Sequence, residues 1–382
     1  MIKKIKSLAI KESNFIVVPE IKEDELLTSW FIRTAYAHYT HPHTFINLHL
    51  GKSSQTLSCN SFDVCITDRE LKILEEKSKN TVSLFKTTLR SYSGYLQENI
   101  INNGLNKMLC SQRFCPICLR EDKILYFRKK WRVVFNTICE KHKCFLYDKC
   151  PNCNSCIDIT KMFKNKFSFK YCFNCGFELS KARKLPIRKE LISGFTTVKK
   201  LNKVLKRGYI SFGKNFVYSF YFFDAIFQLS KKILKHKQTL YVRKEYLYKY
   251  LKLKKYKSSQ PVVHQISIRE QYALFSLVNY LFRNYPKNLK NYIKINNLSH
   301  WLVVRDMEYV SFWFEGIVNE IVPREIYSSR LLTKREIKNG KKYLKSKGLL
   351  VNKANLSRLF GCSFFSSYNK LDIGNSYCIS KD

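Results

Sequence analysis

The chain has 382 residues, 45% of them hydrophobic, enough for two or three domains with packed cores. Lys and Arg number 69 against 29 Asp and Glu, a formal charge of +40, which disfavours cationic partners and points to polyanions, with double-stranded DNA first and a membrane surface a weaker second. No run approaches the ~18 apolar residues of a membrane span, and the opening MIKKIKSLAI lacks the apolar core of a secretory signal.

Three regions are expected in a mainly α, multidomain fold. These are a helical N-terminal domain over 1–110, two consecutive zinc-ribbon or zinc-finger modules over 111–182, and a basic helical C-terminal domain over 183–382. Pro19 precedes the acidic cluster Glu20, Glu23, Asp24 and Glu25, and Asp24 is the candidate N-cap of the first helix. Leu26, Leu27, Trp30, Phe31 and Thr34 follow at helical spacing, with Ser29, Arg33 and Ala37 off that stripe. His38, His41, His43 and His49 lie around Pro42 with no cysteine at ligand spacing, which reads as a surface loop. Over 66–110, Asp68-Arg69-Glu70 starts a helix, and Gly94 and Gly104 punctuate later ones.

The strongest chemistry lies in four ligand pairs, each with two residues between its members: Cys115 and Cys118, Cys139 and His142, Cys150 and Cys153, Cys172 and Cys175. Zn²⁺ takes four N or S ligands in a tetrahedron, and two such pairs supply them. Two structural zinc ions are therefore expected, with every coordination position filled by protein and none left for a reacting water. Apparent affinities of roughly 10–16 kcal/mol per site suffice to hold together a segment with little apolar core. Consecutive wiring is favoured because seven residues separate His142 from Cys150. The interleaved, RING-like wiring, in which a zinc scaffold acts on proteins, is the alternative. Cys144 and Cys156 read as packing residues or spare thiols, and the remaining cysteine usage fits a reducing cytoplasm.

Between the first two pairs, Tyr126 to Phe135 is rich in aromatic and β-branched residues, which predicts a short strand or hairpin arm with Trp131 against the zinc site. Arg128, Lys129, Lys130 and Arg132 are candidate phosphate contacts. From Lys181 to Lys257 there are 22 Lys and Arg against three acids, Glu190, Asp224 and Glu245. Val198, Leu201, Val204 and Leu205 recur at helical spacing, so this region reads as helical with a basic outer face. Lys199, Lys200, Lys206 and Arg207 are its candidate DNA contacts. Val217 to Leu229 is the richest apolar run and, carrying Asp224, reads as a buried helix.

Ser258-Ser259-Gln260-Pro261 marks a joint. Thr333 and Glu336 form a capping box, and Gly348 a helix stop. Asn352 to Ser363, with Leu359-Phe360 and Gly361 near its end, fits the turn of a helix-turn-helix whose second helix would present Ser366, Asn369 and Lys370 to base edges, over 352–370. There is no Gly-rich phosphate loop and no nucleophile elbow, so no enzymatic activity is expected. A nuclease or transposase would need metal-binding carboxylates, and beyond Glu20 to Glu25 the scarce acids form no recognisable cluster.

Three blocks resemble the TniQ/TnsD family of transposition target-selection proteins. The first is Pro19 followed by Glu25-Leu26-Leu27-Thr28-Ser29-Trp30-Phe31-Ile32-Arg33-Thr34-Ala35, with Leu26 where the family has a polar residue. The second is Arg113-Phe114-Cys115-Pro116-Ile117-Cys118-Leu119, then Trp131-Arg132, Cys139-Glu140-Lys141-His142 and Leu146 to Cys153. The third is Cys172-Phe173-Asn174-Cys175-Gly176. The resemblance covers about residues 19–180 and implies a non-catalytic adaptor that marks target DNA and recruits an AAA+ ATPase, which brings the transposase. In the family's other form the adaptor sits on a CRISPR Cascade-type, RNA-guided complex instead of reading DNA itself. Self-association as a homodimer is compatible with either.

Overall fold

The computed structural model describes residues 14–51, 57, 62–79, 83–92, 110–164, 168–187, 192–213, 215–236, 263–295, 303, 310, 312–321 and 332–360. It is mainly helical and divides into two compact units, one of residues 1–297 with 305–311 and one of 298–304 with 312–382. Both joints expected from the sequence, at 110 and 182, fall inside the first unit. Among the described residues no helix is long and apolar enough to cross a membrane.

The first unit begins with α1 (Leu27–Ala37), whose residues from Leu27 to Ala35 are all buried. The expected one-sided stripe is therefore a helix enclosed on every face, and its polar residues need partners. Glu25, 1% exposed, receives the Arg33 guanidinium on both carboxylate oxygens at 2.9 and 2.7 Å, and the Ser29 hydroxyl at 2.9 Å. The Trp30 indole N–H donates to the Pro19 carbonyl at 2.9 Å. Asp24 is not the cap. It sits in a turn with φ +59°. The residue at the N-cap is Leu26, which offers no side-chain acceptor. Asp63, from the short α3 (Phe62–Cys65), supplies one by accepting the Thr28 N–H at 2.8 Å.

The histidine-rich segment is not a loop. Pro42 occupies the first position of α2 (Pro42–Leu50), where its missing N–H costs nothing, and the His41 ring accepts the His43 N–H. His49 stacks edge-on to Phe15 and lies 4.4 Å from the Phe45 ring centroid. Helix α4 (Asp68–Ser78) opens with a capping box between Thr67 and Glu70. These helices close over a core that includes Trp30, Phe31, Phe45, Phe62, Leu71 and Leu74. Gly94 and Gly104 lie outside the described residues.

The cysteine-rich stretch contributes α5 (Pro116–Glu121) and the two-residue strands β1 (Ile138–Cys139) and β2 (Cys144–Phe145), paired antiparallel. It is stitched to the N-terminal helices: Leu26 N–H donates to the Phe127 carbonyl, and Phe127 N–H to the Ser29 hydroxyl, both at 2.9 Å. Then follow α6 (Ile192–Arg207), β3 (Tyr209–Phe212), β4 (Asn215–Tyr218), α7 (Ser219–His236), α8 (Ile268–Leu281) and α9 (Lys287–Ile295). The hairpin β3–β4 interrupts what the sequence suggested was wholly helical, and Val217 belongs to it, so the apolar helix begins at Ser219.

Helix α8, capped by Ser267 and Glu270, packs against α6 and α7. At Gly194 a Cβ would stand 2.3 Å from the Tyr272 ring, so glycine is what lets α6 approach α8. Phe135 stacks on Phe223 at 4.9 Å and Phe145 meets Tyr272 at 5.1 Å, joining the cysteine-rich stretch to this bundle. Arg113, fully buried, donates to the carbonyls of Val133, Val134 and Asn136 and to Gln271 of α8.

In the second unit lie α10 (Phe312–Ile321), α11 (Lys334–Ser346) and α12 (Lys353–Phe360). The Thr333–Glu336 capping box and the left-handed Gly348 stand where the sequence placed them. Leu332, Ile337, Leu344 and Leu356 form a small core, flanked by Val351 and Phe360. Leu359 and Phe360 end α12 and are not in a turn. The second helix of the expected helix-turn-helix, with Ser366, Asn369 and Lys370, lies outside the described residues.

Candidate metal centres and basic surface

The eight proposed ligands gather into two groups of four in chain order. Cys115, Cys118, Cys139 and His142 form one and Cys150, Cys153, Cys172 and Cys175 the other, with the ligand atoms of each group within 4.8 Å of one another. The interleaved wiring is not formed. That removes the geometric basis of the RING-like reading.

In the first group, Cys115 caps α5 with Pro116 behind it, which turns Cys118 back toward the same point. Cys139 ends β1, and the turn through Lys143, at φ +48°, brings His142 round. The His142 Nδ1 lies 3.3, 3.3 and 3.5 Å from the sulfurs of Cys115, Cys118 and Cys139, and Cys118 and Cys139 are 3.7 Å apart. A tetrahedron with Zn–S of about 2.3 Å and Zn–N of about 2.0 Å has S–S edges of about 3.8 Å and S–N edges of about 3.5 Å. The donor set and its spacing therefore fit zinc. On the far side of the ring, His142 Nε2 meets the Glu121 carboxylate at 2.9 Å, which fixes the tautomer that leaves Nδ1 free to ligate. Glu121 also takes the Lys141 ammonium at 2.8 Å, and these two hydrogen bonds hold its carboxyl below the usual range. The Cys144 sulfur lies 3.8 Å from that of Cys115 but stands outside the group of four.

The second group is built from two similar knuckles. Cys150 N–H donates to the Ser155 carbonyl and Asn154 N–H to the Cys150 carbonyl. Cys172 N–H donates to the Phe177 carbonyl and Gly176 N–H to the Cys172 carbonyl. Asn154 and Gly176 take the positive φ that each tight turn demands, +59° and +71°. The facing sulfurs, Cys150 to Cys175 and Cys153 to Cys172, are each 3.7 Å apart, again the edge of a tetrahedron around zinc. Cys156, one residue past the first knuckle's return, is disulfide-bonded to Cys110. This corrects the reading of Cys156 as a spare thiol: the fold brings its Cα within 5.1 Å of that of Cys110.

The basic candidates separate by burial. Residues 129–132 form a turn of 3₁₀ helix and not a strand. Arg132, with 2% of its side chain exposed, faces Asp63 at 3.5 Å. Arg128 makes two bonds to Asp122, at 2.8 and 3.0 Å, and lies over the rings of Tyr126 and Trp131. Both guanidiniums are largely buried and face a carboxylate inside the fold. Lys129 is tied to the Lys86 carbonyl and lies over Tyr92, and the Lys130 backbone N–H points at Asp24.

On α6 the result differs. Val198, Leu201 and Val204 face the core, so Lys199, Lys203, Lys206 and Arg207 are exposed on the opposite side. Lys200 is half-buried, and burial together with nearby Arg283 lowers its ammonium pKa. Sequence reasoning missed Glu121, which no spacing marks. It also missed the outward aromatic residues of β3–β4, which the alternation between Gly208 and Gly213 could have disclosed.

Residues 16–146 match the family model described as TniQ. No curated protein matches the chain.

Proposed function

We infer, from the match of residues 16–146 to the TniQ family model, that this chain has a transposition-associated function as a non-catalytic target-selection adaptor. It binds double-stranded target DNA and recruits an AAA+ ATPase that brings the transposase. The match over residues 16–146 carries this reading. The exposed lysines and arginine of α6 supply a surface for phosphates, and the two zinc modules supply rigidity without chemistry. Zinc, when bound, would be held by Cys115, Cys118, Cys139 and His142 and by Cys150, Cys153, Cys172 and Cys175, with no coordination position for a reacting water. Lys199, Lys203, Lys206 and Arg207 track the backbone. The target sequence is read elsewhere, and residues 352–370 are the candidate reader.

Binding of the purified chain to a duplex spanning candidate attachment sites tests this, measured across a salt series with the ATPase of the same system added. The expected result is a log–log salt dependence that loses about three to four units of slope in the Lys199→Glu/Lys203→Glu/Lys206→Glu/Arg207→Glu variant. ATPase capture by the adaptor on DNA is also expected. Sequence-blind binding with co-purification of an RNA-guided effector would instead favour the docked form of the adaptor.

A further inference from the structure

The hairpin between α6 and α7 has two unlike faces. Its register pairs Tyr209 with Tyr218, Ile210 with Val217, Ser211 with Phe216 and Phe212 with Asn215. Ile210 and Val217 are buried, and Phe212 packs 4.3 Å from the Tyr285 ring centroid and close to Phe222 and Phe282. That inner face anchors the hairpin. Gly208 and Gly213, at φ +79° and +62°, make its entry and its turn, and Ser219 N–H donates to the Gly208 carbonyl across its base.

The outer face carries Tyr209, Phe216 and Tyr218, and the latter two are 68% and 66% exposed. Tyr209 and Phe216 meet edge to face at 5.5 Å, and Phe220 lies parallel to Tyr218 at 5.8 Å with 9° between the rings. The outward side of such a hairpin is ordinarily polar. Four adjacent rings in water are not required by the packing beneath them, and a contiguous exposed patch of this kind marks a contact surface.

Charge decides what the contact is. From Ile192 to Tyr218 the sequence has no acidic residue. The exposed Lys206 and Arg207 lead into the hairpin with only Gly208 between them and Tyr209. From the other side, exposed Arg283 lies between Phe282 and Tyr285, the rings under Phe212, and is close enough to Lys200 to depress its pKa. A second copy of this chain, itself at +40, would be repelled. An acidic peptide would satisfy the cations but leave the ring faces without a flat partner. In a DNA duplex the base faces are covered by their neighbours. An unpaired strand offers both phosphates and free base faces.

We propose that the outer face of β3–β4, through Tyr209, Phe216 and Tyr218 with Lys206 and Arg207 beside them, is a stacking platform for the bases of an unpaired DNA strand. The choice of DNA as the polymer rests on the target-selection reading above. Such a platform would hold target DNA in which base stacking has been opened, and would do so without sequence preference.

The test uses the full zinc-loaded chain and fluorescence anisotropy with an oligothymidylate of about 16 nucleotides, the upper end of single-strand site sizes, and with a duplex. Phe216→Ala/Tyr218→Ala is expected to weaken oligothymidylate binding about 10–100-fold and duplex binding less than about 2-fold. Phe216→Leu/Tyr218→Leu, which keeps apolar bulk but removes the ring faces, is expected to lose a similar factor, with an unchanged circular dichroism melt showing that the fold persists. Lys206→Glu/Arg207→Glu is expected to weaken both. Wild-type oligothymidylate affinity in the ring variants, an equal loss on duplex, or stronger wild-type binding to oligouridylate than to oligothymidylate would each overturn the proposal. Failure of the wild type to prefer any duplex site, with the ring-dependent single-strand binding intact, would strike the target-selection reading and leave the platform standing.

Discussion

Glu25 and Arg33 show why a helix enclosed on all sides still carries charge. Burial pushes the Glu25 carboxyl above its ordinary range, and the Arg33 guanidinium pulls against that shift. Removing one partner of a buried pair leaves the other uncompensated, at a cost of about 3–5 kcal/mol. Arg33→Met is therefore expected to lower stability by that order. The loss should be greater at pH 7 than at pH 5. With Arg33 gone, the folded-state pKa of Glu25 rises further above its unfolded value, so the folded form keeps its proton and stability falls as pH rises between the two. Glu25→Gln/Arg33→Met should recover part of the loss and flatten the pH dependence. Urea titrations at both pH values measure this, and an Arg33→Met variant as stable as the wild type at pH 7 would contradict it. The same residue scale shows what a sequence hides. Arg128 and Arg132 look like a basic patch beside Lys129 and Lys130, yet Asp122 and Asp63 claim them from 6 and 69 positions away. Charge along the chain is visible in a sequence, whereas the partner a fold delivers to each charge is not.

At the scale of elements, the cysteine spacing was the most legible feature, because two residues between ligands is a local geometric demand that needs no knowledge of the rest of the fold. The grouping was legible too, since the seven residues between His142 and Cys150 let each module close before the next begins. The capping box at Thr333 was readable for the same local reason. The hairpin β3–β4 was not found, because 22 basic residues and a following apolar helix drew the reading toward one long helical region. Its glycines and alternation were present but weaker. The modules give a direct prediction. Elemental analysis should find two zinc ions per chain, and one in either Cys118→Ser/Cys139→Ser or Cys153→Ser/Cys172→Ser. Each double substitution damages a single site in the consecutive grouping. An interleaved grouping would lose both ions in either variant, so that count distinguishes the two arrangements without a further structure.

Across the whole molecule, the cysteine-rich stretch is less a separate domain than a clasp. It reaches the N-terminal helices through Leu26 with Phe127, Ser29 with Phe127 and Asp63 with Arg132. It reaches α8 through Arg113 with Gln271 and through Phe145 with Tyr272. Trp30 and Trp131 are both fully buried, one on each side of that junction. If the stretch holds its shape by binding zinc, then stripping the metal should be felt well beyond the eight ligands, because structural zinc contributes roughly 10–16 kcal/mol and nothing local replaces it. Hydrogen exchange after chelation tests this. The amides of Trp30 to Ala35, protected in the zinc-loaded chain, are expected to exchange at least about 10-fold faster once metal is removed, in step with those of Val133 to Thr137. An N-terminal domain ending at residue 110 and folding on its own would keep α1 protected while the cysteine-rich stretch opened. Loss of protection in both together would mean that α1 owes its burial to a clasp whose ligands lie 80 or more residues further along the chain. The charges and rings of α6 and β3–β4 would then be held in place by a metal that touches none of them.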